Sequence, residues 1–288
     1  MSRSQILIVV AAIALVAAMF FLPKVVVNDD DKDAIAKGET TAAIPEGHSE
    51  DDGHDHGAPA GAPADVHMTA TPEQMMELST ARAKYNKATD AQSRTRLAPE
   101  LAAAYATAHK YDSAGYYYEV AANARGGEKS YKKAGDAYYE AFTFAATQER
   151  ANELGSKARA MYEQVLKNNP SDLDAKTNVA MTYIASTNPM QGITLLREVI
   201  ASDPNNQKAL FNLGILSIQS NQYDKAVERF EKLISVNPEH VEGTFYLAVS
   251  LAETGQNERA KALFNKVKEM SSDPALAASV DEYLARLN

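Results

Sequence analysis

Three prolines, Pro170, Pro204 and Pro238, follow an Asn or an Asp at intervals of 34 residues. Each proline closes a stretch in which apolar residues recur at helical spacing. Proline lacks a backbone N–H and breaks a helix interior, so each one marks a break before the next helix. A fixed period of this length is typical of repeat proteins, in which similar units stack in a row. The sequence therefore predicts a solenoid.

Alignment on the prolines brings three further kinds of position into register. A small residue in the first half of each unit, and another in the second half, would let two helices approach closely. A large apolar residue four positions after the second small residue would fill the contact with the next unit. These positions hold Ala180, Gly214 and Ala248, then Gly192, Ala226 and Ala260, then Leu196, Phe230 and Phe264. The pattern predicts tandem helix pairs.

On these residues the chain resembles the tetratricopeptide repeat family. The resemblance implies an all-α fold, a solenoid in which helix pairs form a right-handed superhelix. It places clear repeats at 173–206, 207–240 and 241–274, degenerate repeats at about 95–170, and a terminal helix at 275–288, within a domain spanning 72–288. About eleven extra residues separate the two halves of the unit that Pro170 closes, which predicts longer helices or a larger turn there.

Residues 6–22 form a run of 17 residues without a charge. A run of this length is at the short end of what spans a bilayer as a helix. We interpret residues 1–27 as a signal anchor, a single transmembrane helix in the inner (cytoplasmic) membrane. Arg3 and the free amino terminus lie before the run and Lys24 lies after it, and this balance favours a bulk domain that faces the periplasm. The alternatives are a cleaved signal peptide, with small residues at 16–18 and a periplasmic product, and a buried core helix.

Residues 28–71 lack apolar periodicity, and this composition predicts a disordered linker. Within them, residues 28–67 carry eleven Asp or Glu and two Lys, a net charge of −9. His48, His54 and His56 lie beside carboxylates in this segment, and such side chains bind Zn²⁺, Ni²⁺ or Cu²⁺. The alternative is a polar spacer whose histidines bind no metal.

Several classes of function lack support in the sequence. The chain has no cysteine, which excludes a disulfide framework, a thiolate zinc site and a cysteine nucleophile. Outside residues 28–67 the chain holds 27 basic and 27 acidic side chains, so no net-basic domain would attract nucleic acid. No motif combines a nucleophile with a base, and none suggests a cofactor. The sequence predicts a protein that is not an enzyme and needs no cofactor.

The resemblance implies that the first helix of each pair lines a concave groove where partner proteins bind. The corresponding residues are Thr177, Asn178, Met181, Ile184, Lys208, Phe211, Asn212, Ile215, Ile218, Phe245 and Val249. Most of them are apolar, which favours a hydrophobic or amphipathic segment of a partner. Asn178 and Asn212 fall at equivalent places and are able to hydrogen-bond a peptide backbone.

Family members that grip an acidic peptide C-terminus have Lys and Asn where this sequence has Thr177, Phe211 and Phe245. The resemblance therefore implies that no clamp for a C-terminal carboxylate exists here. For any one groove residue, the alternative is that it packs against neighbouring helices. If the rings bind a partner, Phe211→Ala with Phe245→Ala weakens capture and leaves helicity intact.

These features together predict a membrane-tethered scaffold or adaptor that holds a partner protein near the membrane, with envelope or membrane-associated proteins as the expected partners. One alternative is a metal-handling protein in which the histidine-bearing linker captures a metal ion. Another is a periplasmic chaperone that holds unfolded chains in its groove. A fold of this kind does not choose between these functions by itself.

Overall fold

The computed structural model describes residues 70–287, and within them every regular element is an α-helix and no strand occurs. The twelve helices pack in chain order, each against the next. The all-α prediction is therefore confirmed for this part of the chain. The predicted anchor at residues 6–22, the predicted linker up to residue 69, and His48, His54 and His56 lie outside the described residues. Among residues 70–287, no helix combines the length and the apolar character needed to cross a bilayer.

The first five helices are α1 (Pro72–Lys87), α2 (Ala91–Thr107), α3 (Tyr111–Arg125), α4 (Glu128–Thr143) and α5 (Gln148–Asn168). A reciprocal cap starts α1, because Oγ1 of Thr71 accepts from the N–H of Gln74 at 3.2 Å and Oε1 of Gln74 accepts from the N–H of Thr71 at 2.7 Å. These bonds satisfy two N–H groups at the helix end. The extra residues of the upstream unit lie in the helices, since α4 has 16 residues and α5 has 21.

The remaining helices are α6 (Leu173–Ile184), α7 (Pro189–Ser202), α8 (Gln207–Gln219), α9 (Tyr223–Val236), α10 (Val241–Glu253), α11 (Asn257–Met270) and α12 (Pro274–Arg286). Each helix that opens a 34-residue unit has a side-chain N-cap. The capping residue lies two positions after the proline that closes the preceding unit. Asp172, Asn206 and His240 accept hydrogen bonds from backbone N–H groups three residues further on. A turn that ends in a good N-cap explains why each helix begins at the same place in its unit.

Helices two apart in the chain also touch, namely α4 with α6 and α8 with α10. Because these are the first helices of successive pairs, they lie side by side and form one face of the stack. The second helices, α5, α7, α9 and α11, lie between them in sequence and pack against both neighbours. The first helices thus provide a surface to which several repeats contribute.

Close approach between helices depends on the small residues of the pattern. A Cβ on Gly192 would lie 2.3 Å from the carbonyl oxygen of Ala180, which brings α7 directly against the backbone of α6. A Cβ on Gly214 would lie 2.5 Å from the ring of Phe230, which is fully buried between α8 and the next pair. The recurring small and large residues therefore fit into each other within and between repeats.

The C-terminal end of the stack is covered by α12. Val280 is fully buried, and the ring of Tyr283 stacks on that of Phe264 with centroids 5.2 Å apart. Charged side chains of α12 are exposed, and of these Glu282 forms no ion pair within the described residues, whereas Asp281 pairs with Lys268 of α11 at 2.7 Å. A helix that is apolar on one side and charged on the other shields the last repeat from water.

Candidate partner-binding groove

A cavity of about 410 Å³ opens on the face formed by α4, α6 and α8. We call it the polar section of the groove, because each side chain that lines it carries a hydrogen-bonding or charged group. It is lined by Asp136, Tyr139, Glu140, Tyr162, Thr177, Asn178, Lys208 and Asn212. Four of these, Thr177, Asn178, Lys208 and Asn212, belong to the set predicted from the sequence.

The fully buried Tyr162 of α5 links two of the groove helices through its hydroxyl. That hydroxyl donates to Oδ1 of Asp136 at 2.8 Å and accepts from Nδ2 of Asn178 at 2.8 Å. The ring fits because a Cβ on Gly135 would lie 2.9 Å from it. Burial and the neighbouring Asp136 carboxylate raise the pKa of Tyr162 far above its ordinary value, so the phenol stays protonated.

Two carboxylates, Asp136 and Glu140, lie one turn apart on α4 and face the cavity. Burial raises the pKa of Asp136, although the hydrogen bond from Tyr162 and the charge of Lys132 oppose the shift. Burial also raises the pKa of Glu140, and the charge of Asp136 adds to it. Burial therefore disfavours the charged form of both groups, although both residues remain exposed at the mouth of the cavity, and an incoming positive charge would favour the charged form.

The lysines nearest to these carboxylates already have other partners. Lys132 on α4 donates to Oδ2 of Asp172 at 2.5 Å, and Lys208 on α8 lies 3.3 Å from Oδ1 of Asp174. Burial would raise the pKa of Asp172, but hydrogen bonds from the Ala175 N–H and from Lys132 outweigh it and lower that pKa. Within residues 70–287, no lysine or arginine forms an ion pair with Asp136 or Glu140.

The predicted polar residues differ in how much they offer to a partner. Thr177 is fully buried, and its hydroxyl donates to the carbonyl of Leu173 at 2.7 Å, so it is already satisfied. Asn178 and Asn212 are half-buried and line the cavity, while Lys208 is exposed. The two amides are the better candidates for hydrogen bonds to a peptide.

The apolar members of the predicted set serve mainly as packing. Ile215 and Ile218 are partly buried against the core of the last repeats, and Val249 belongs to that core. Met181 and Ile184 are partly buried against the core between α6 and α8. Val249 is buried, whereas the other four side chains keep part of their surface exposed.

Phe211 and Phe245 take part in aromatic contacts within and between repeats. The ring centroid of Phe211 lies 5.4 Å from that of His240 and 5.9 Å from that of Tyr246. The ring of Phe245 lies 5.8 Å from those of Phe264 and Tyr283. Both rings therefore pack against neighbouring helices, which is the alternative to partner binding for these residues.

Four residues of the polar section were not predicted: Asp136, Tyr139, Glu140 and Tyr162. A signal existed, because Gly135 occupies the small position that Ala180 and Gly214 occupy in later units. That register places Asp136 with Met181 and Ile215, which were predicted to face the groove. Because the helices of this unit are longer, its alignment with the later units was not evident from the sequence.

No group of three or more His, Asp or Glu side chains in the described part of the chain is arranged to hold a metal ion. The two histidines within residues 70–287 have structural contacts. His240 caps α10 through Nδ1, and Nδ1 of His109 is hydrogen-bonded to the Tyr111 hydroxyl at 3.1 Å. The polar section instead presents carboxylates and amides, which suit a cationic side chain and a peptide backbone.

Family models described as tetratricopeptide repeat match residues 195–228 and 217–280. Residues 195–280 contain tetratricopeptide repeats. The matches fall on α7 to α12, where the 34-residue period is regular. The presence of these repeats supports a role in protein interaction. No curated protein matches the chain.

A tetratricopeptide repeat protein from Parabacteroides merdae has a similar structure, with a TM-score of 0.55 and 19% identity over 75% of this chain and 82% of that one. Matches to a structure of MamA cover 61% of this chain and 91% of that one, with a TM-score of 0.48 and 19% identity. A structure of YrrB, described as a tetratricopeptide repeat protein with an unusual peptide-binding site, matches with a TM-score of 0.45 and 18% identity over 70% of this chain and 96% of that one. The Parabacteroides likeness supports the fold.

Proposed function

We propose that this tetratricopeptide repeat protein is a scaffold or adaptor that binds an extended segment of a partner protein in its groove. The observation that carries the proposal is the cavity of about 410 Å³ to which three successive first helices contribute side chains. A surface to which several repeats contribute binds several consecutive residues of a peptide rather than a single residue. The chain itself needs no catalytic role for this function.

The groove provides both of the contacts that an extended peptide needs. The backbone N–H and C=O groups of the peptide lose water on binding and need hydrogen-bond partners. The side-chain amides of Asn178 and Asn212, on successive repeats, provide donors and acceptors for them. Partly buried Met181 and Ile215 supply apolar surface for side chains. The proposal thus keeps the predicted protein partner but replaces a mostly apolar groove with a mixed one.

The test is a cross-linked pull-down of the full-length chain, read by mass spectrometry, beside the groove variant Asn178→Ala/Asn212→Ala. A matched control is Asn123→Ala/Asn265→Ala, because both of these asparagines are exposed on the second helices α3 and α11. We expect one or two stoichiometric partners that the groove variant loses and the control keeps. Retention of the same partners by both variants would place the binding site elsewhere.

A different outcome of the same experiment would point to another function. A broad set of unrelated proteins, captured in non-stoichiometric amounts, would indicate a chaperone that holds unfolded chains. The absence of any partner would direct attention to the metal-handling alternative and to His48, His54 and His56. Calorimetry of the full-length chain with Zn²⁺ or Ni²⁺, beside a variant with these three histidines changed to Ala, would test that alternative.

We also propose that residues 6–22 anchor the chain in the inner membrane and that the repeats face the periplasm. The support is the uncharged run of 17 residues and the charges that flank it. Fractionation of cells expressing the full chain, or a variant without residues 1–27, tests the anchor, and protease added to spheroplasts tests the orientation. Recovery of both forms in the cytosol would refute the proposal.

A further inference from the structure

The geometry points to a lysine or arginine side chain of the partner segment as the group that the polar section binds, placed against Asp136 and Glu140. This inference rests on the proposed function and specifies its ligand. The occupant is a basic segment of another protein, in extended conformation, whose cationic side chain enters the cavity.

The first argument is an excess of negative charge. Four carboxylates, those of Asp136, Glu140, Asp172 and Asp174, face or adjoin the cavity beside only two ammonium groups, those of Lys132 and Lys208. Each lysine is paired with one of the two carboxylates that belong to the start of α6. Among the described residues, Asp136 and Glu140 form no direct ion pair, although the charges of Lys132 and Lys208 act on Asp136 from a distance. A cavity with this balance favours a positive ligand.

The second argument is that Asp136 is held in place. The buried Tyr162 donates to its Oδ1 at 2.8 Å, and the same hydroxyl is fixed by Asn178. No hydrogen bond from the described residues reaches Oδ2 of Asp136, so this atom is available for a donor. A carboxylate that is already oriented loses little conformational freedom when it binds, which favours affinity.

The third argument concerns the rest of the wall. The ring of Tyr139 lies between the two carboxylates in sequence and forms part of the cavity, where it offers an aromatic surface to a cation. Asn212 on α8 lies on the other side and is available to the peptide backbone. The cavity therefore combines an ionic contact, an aromatic contact and a backbone contact for one basic residue and its neighbours.

The acidic segment of the same chain is a poor occupant for this cavity. Residues 28–67 carry a net charge of −9, which has the same sign as the polar section. Like charges would repel at short range in a cavity that is partly shielded from water. The complementary charge must therefore come from another molecule.

A random peptide library displayed on phage and selected on the full-length chain tests the inference. Parallel selections would use Asp136→Asn/Glu140→Gln, which removes the charges but keeps the shapes, and Asn178→Ala/Asn212→Ala, which removes the amides. Circular dichroism and thermal unfolding confirm that each variant is folded. We expect Lys or Arg to be enriched at one peptide position on the native protein, and this preference to disappear on the charge variant.

A selected peptide and its copy with norleucine in place of the basic residue then give the size of the effect by fluorescence anisotropy. We expect the norleucine peptide to bind the native protein roughly tenfold more weakly, since charge pairs in shielded sites carry couplings of this order. The two peptides should bind Asp136→Asn/Glu140→Gln with equal affinity. Any attraction to the acidic segment is common to all variants and cancels in this comparison.

The outcomes separate this inference from the proposed function. Selected peptides that lack basic residues but lose affinity for Asn178→Ala/Asn212→Ala would overturn the inference and leave the groove as the binding site. Peptides whose binding neither variant changes would overturn both. Enrichment of basic residues that persists on Asp136→Asn/Glu140→Gln would also overturn the inference, because the positive charge would then be recognised elsewhere.

Discussion

The hydroxyl of Tyr162 donates a hydrogen bond to Oδ1 of Asp136 at 2.8 Å, which joins the second helix of one repeat to the groove face of its first helix. Tyr162 is fully buried, whereas Asp136 opens onto the cavity. One contact therefore belongs both to the core that stabilises the stack and to the surface where we place the ligand. A change in the core at this point should alter binding as well.

Tyr162→Phe removes that hydroxyl while keeping the ring. We expect the free energy of unfolding to fall by about 1–2 kcal/mol, because Nδ2 of Asn178 and Oδ1 of Asp136 both lose a partner. Urea denaturation followed by circular dichroism measures the effect. Tyr183→Phe is the matched control, since Tyr183 is only half-buried. Equal stability of the two variants would show that the buried hydrogen bonds contribute nothing.

Asp136→Asn/Glu140→Gln should stabilise the free protein at pH 7. Burial raises the pKa of both carboxyl groups above their ordinary values of 3.8 and 4.5, so the folded state holds their protons more tightly than the unfolded state. Their contribution to stability therefore falls as pH rises through the folded-state values, and ionisation costs stability at neutral pH.

Thermal unfolding of this double variant and of the native protein at several pH values measures the difference. The gain should shrink as pH falls below 3.8, because both groups then become protonated in the unfolded state as well as in the folded state. Glu163→Gln, which changes an exposed residue of α5, is the control and should show no gain. A loss of stability at pH 7 in the double variant would contradict the prediction.

Asp172 should stabilise the protein above about pH 4 and lose this effect in acid. Its Oδ1 caps α6 by accepting from Ala175 N–H at 2.9 Å, and its Oδ2 pairs with Lys132. Hydrogen bonds lower its pKa below 3.8 in spite of burial, so its contribution is present above the unfolded-state value and is lost as pH falls through the folded-state value.

Asp172→Ala should cost about 1–2 kcal/mol at pH 7 because it removes both the cap and the ion pair. Asp172→Asn keeps a capping oxygen and should cost less. Asn206→Ala removes an equivalent cap without a charge, so its cost should not depend on pH. Chemical denaturation at pH 7 and at a pH well below 3.8 compares the three variants. A loss for Asp172→Ala that is the same at both values would rule out the ionic part.

Gly192→Ala should destabilise the first pair of the regular stack, which α6 and α7 form. The added methyl group would lie 2.3 Å from the carbonyl oxygen of Ala180, and a backbone atom is unable to move aside. We expect a cost of about 2–3 kcal/mol from forced separation of α6 and α7. Gly155→Ala is the control, because the added Cβ would lie 3.3 Å from its nearest neighbour, the ring of Phe142, and a side chain is able to shift slightly. Thermal unfolding should show little change for Gly155→Ala, and an equally small change for Gly192→Ala would refute the close approach.

Phe211→Ala/Phe245→Ala should unfold more easily as well as bind less. Both rings contact other aromatic side chains, and truncation of packed aromatics leaves cavities. We expect a loss of about 2–4 kcal/mol for each change, compared with less than about 1 kcal/mol for Phe144→Ala, whose residue is more exposed. Denaturation measured for the single and double variants checks this. Unchanged stability would show that the two rings contribute little to packing and would indicate that they serve partner binding.

The sequence predicted the helical repeats because their determinants are local and recur. The 34-residue period, the small residues at Gly192 and Gly214, and the large ones at Phe230 and Phe264 are visible in the printed sequence. Each unit also begins with a polar N-cap, at Asp172, Asn206 or His240, and this signal follows from hydrogen bonding within one turn. Local chemistry of this kind needs no knowledge of distant contacts.

The polar section was only half predicted, and the reason is physical. Asn178, Lys208 and Asn212 followed from the regular register, whereas Asp136 and Glu140 lie in the unit whose helices are longer. The residues of a helix that face the groove can be assigned from the sequence only when the start of the repeat is known. The 16 residues of α4 allow several starting positions. The packing of α5 against α4 fixes which residues turn towards the cavity.

By itself, the sequence determined that this chain forms stacked helix pairs, since period, capping and small-residue spacing act within and between neighbouring turns. Only the tertiary structure decided what the groove contains. The contact of Tyr162 with Asp136 spans 26 residues and that with Asn178 spans 16. Such contacts form only when three helices pack at fixed distances, and the sequence alone does not show how close the packed helices will bring two side chains.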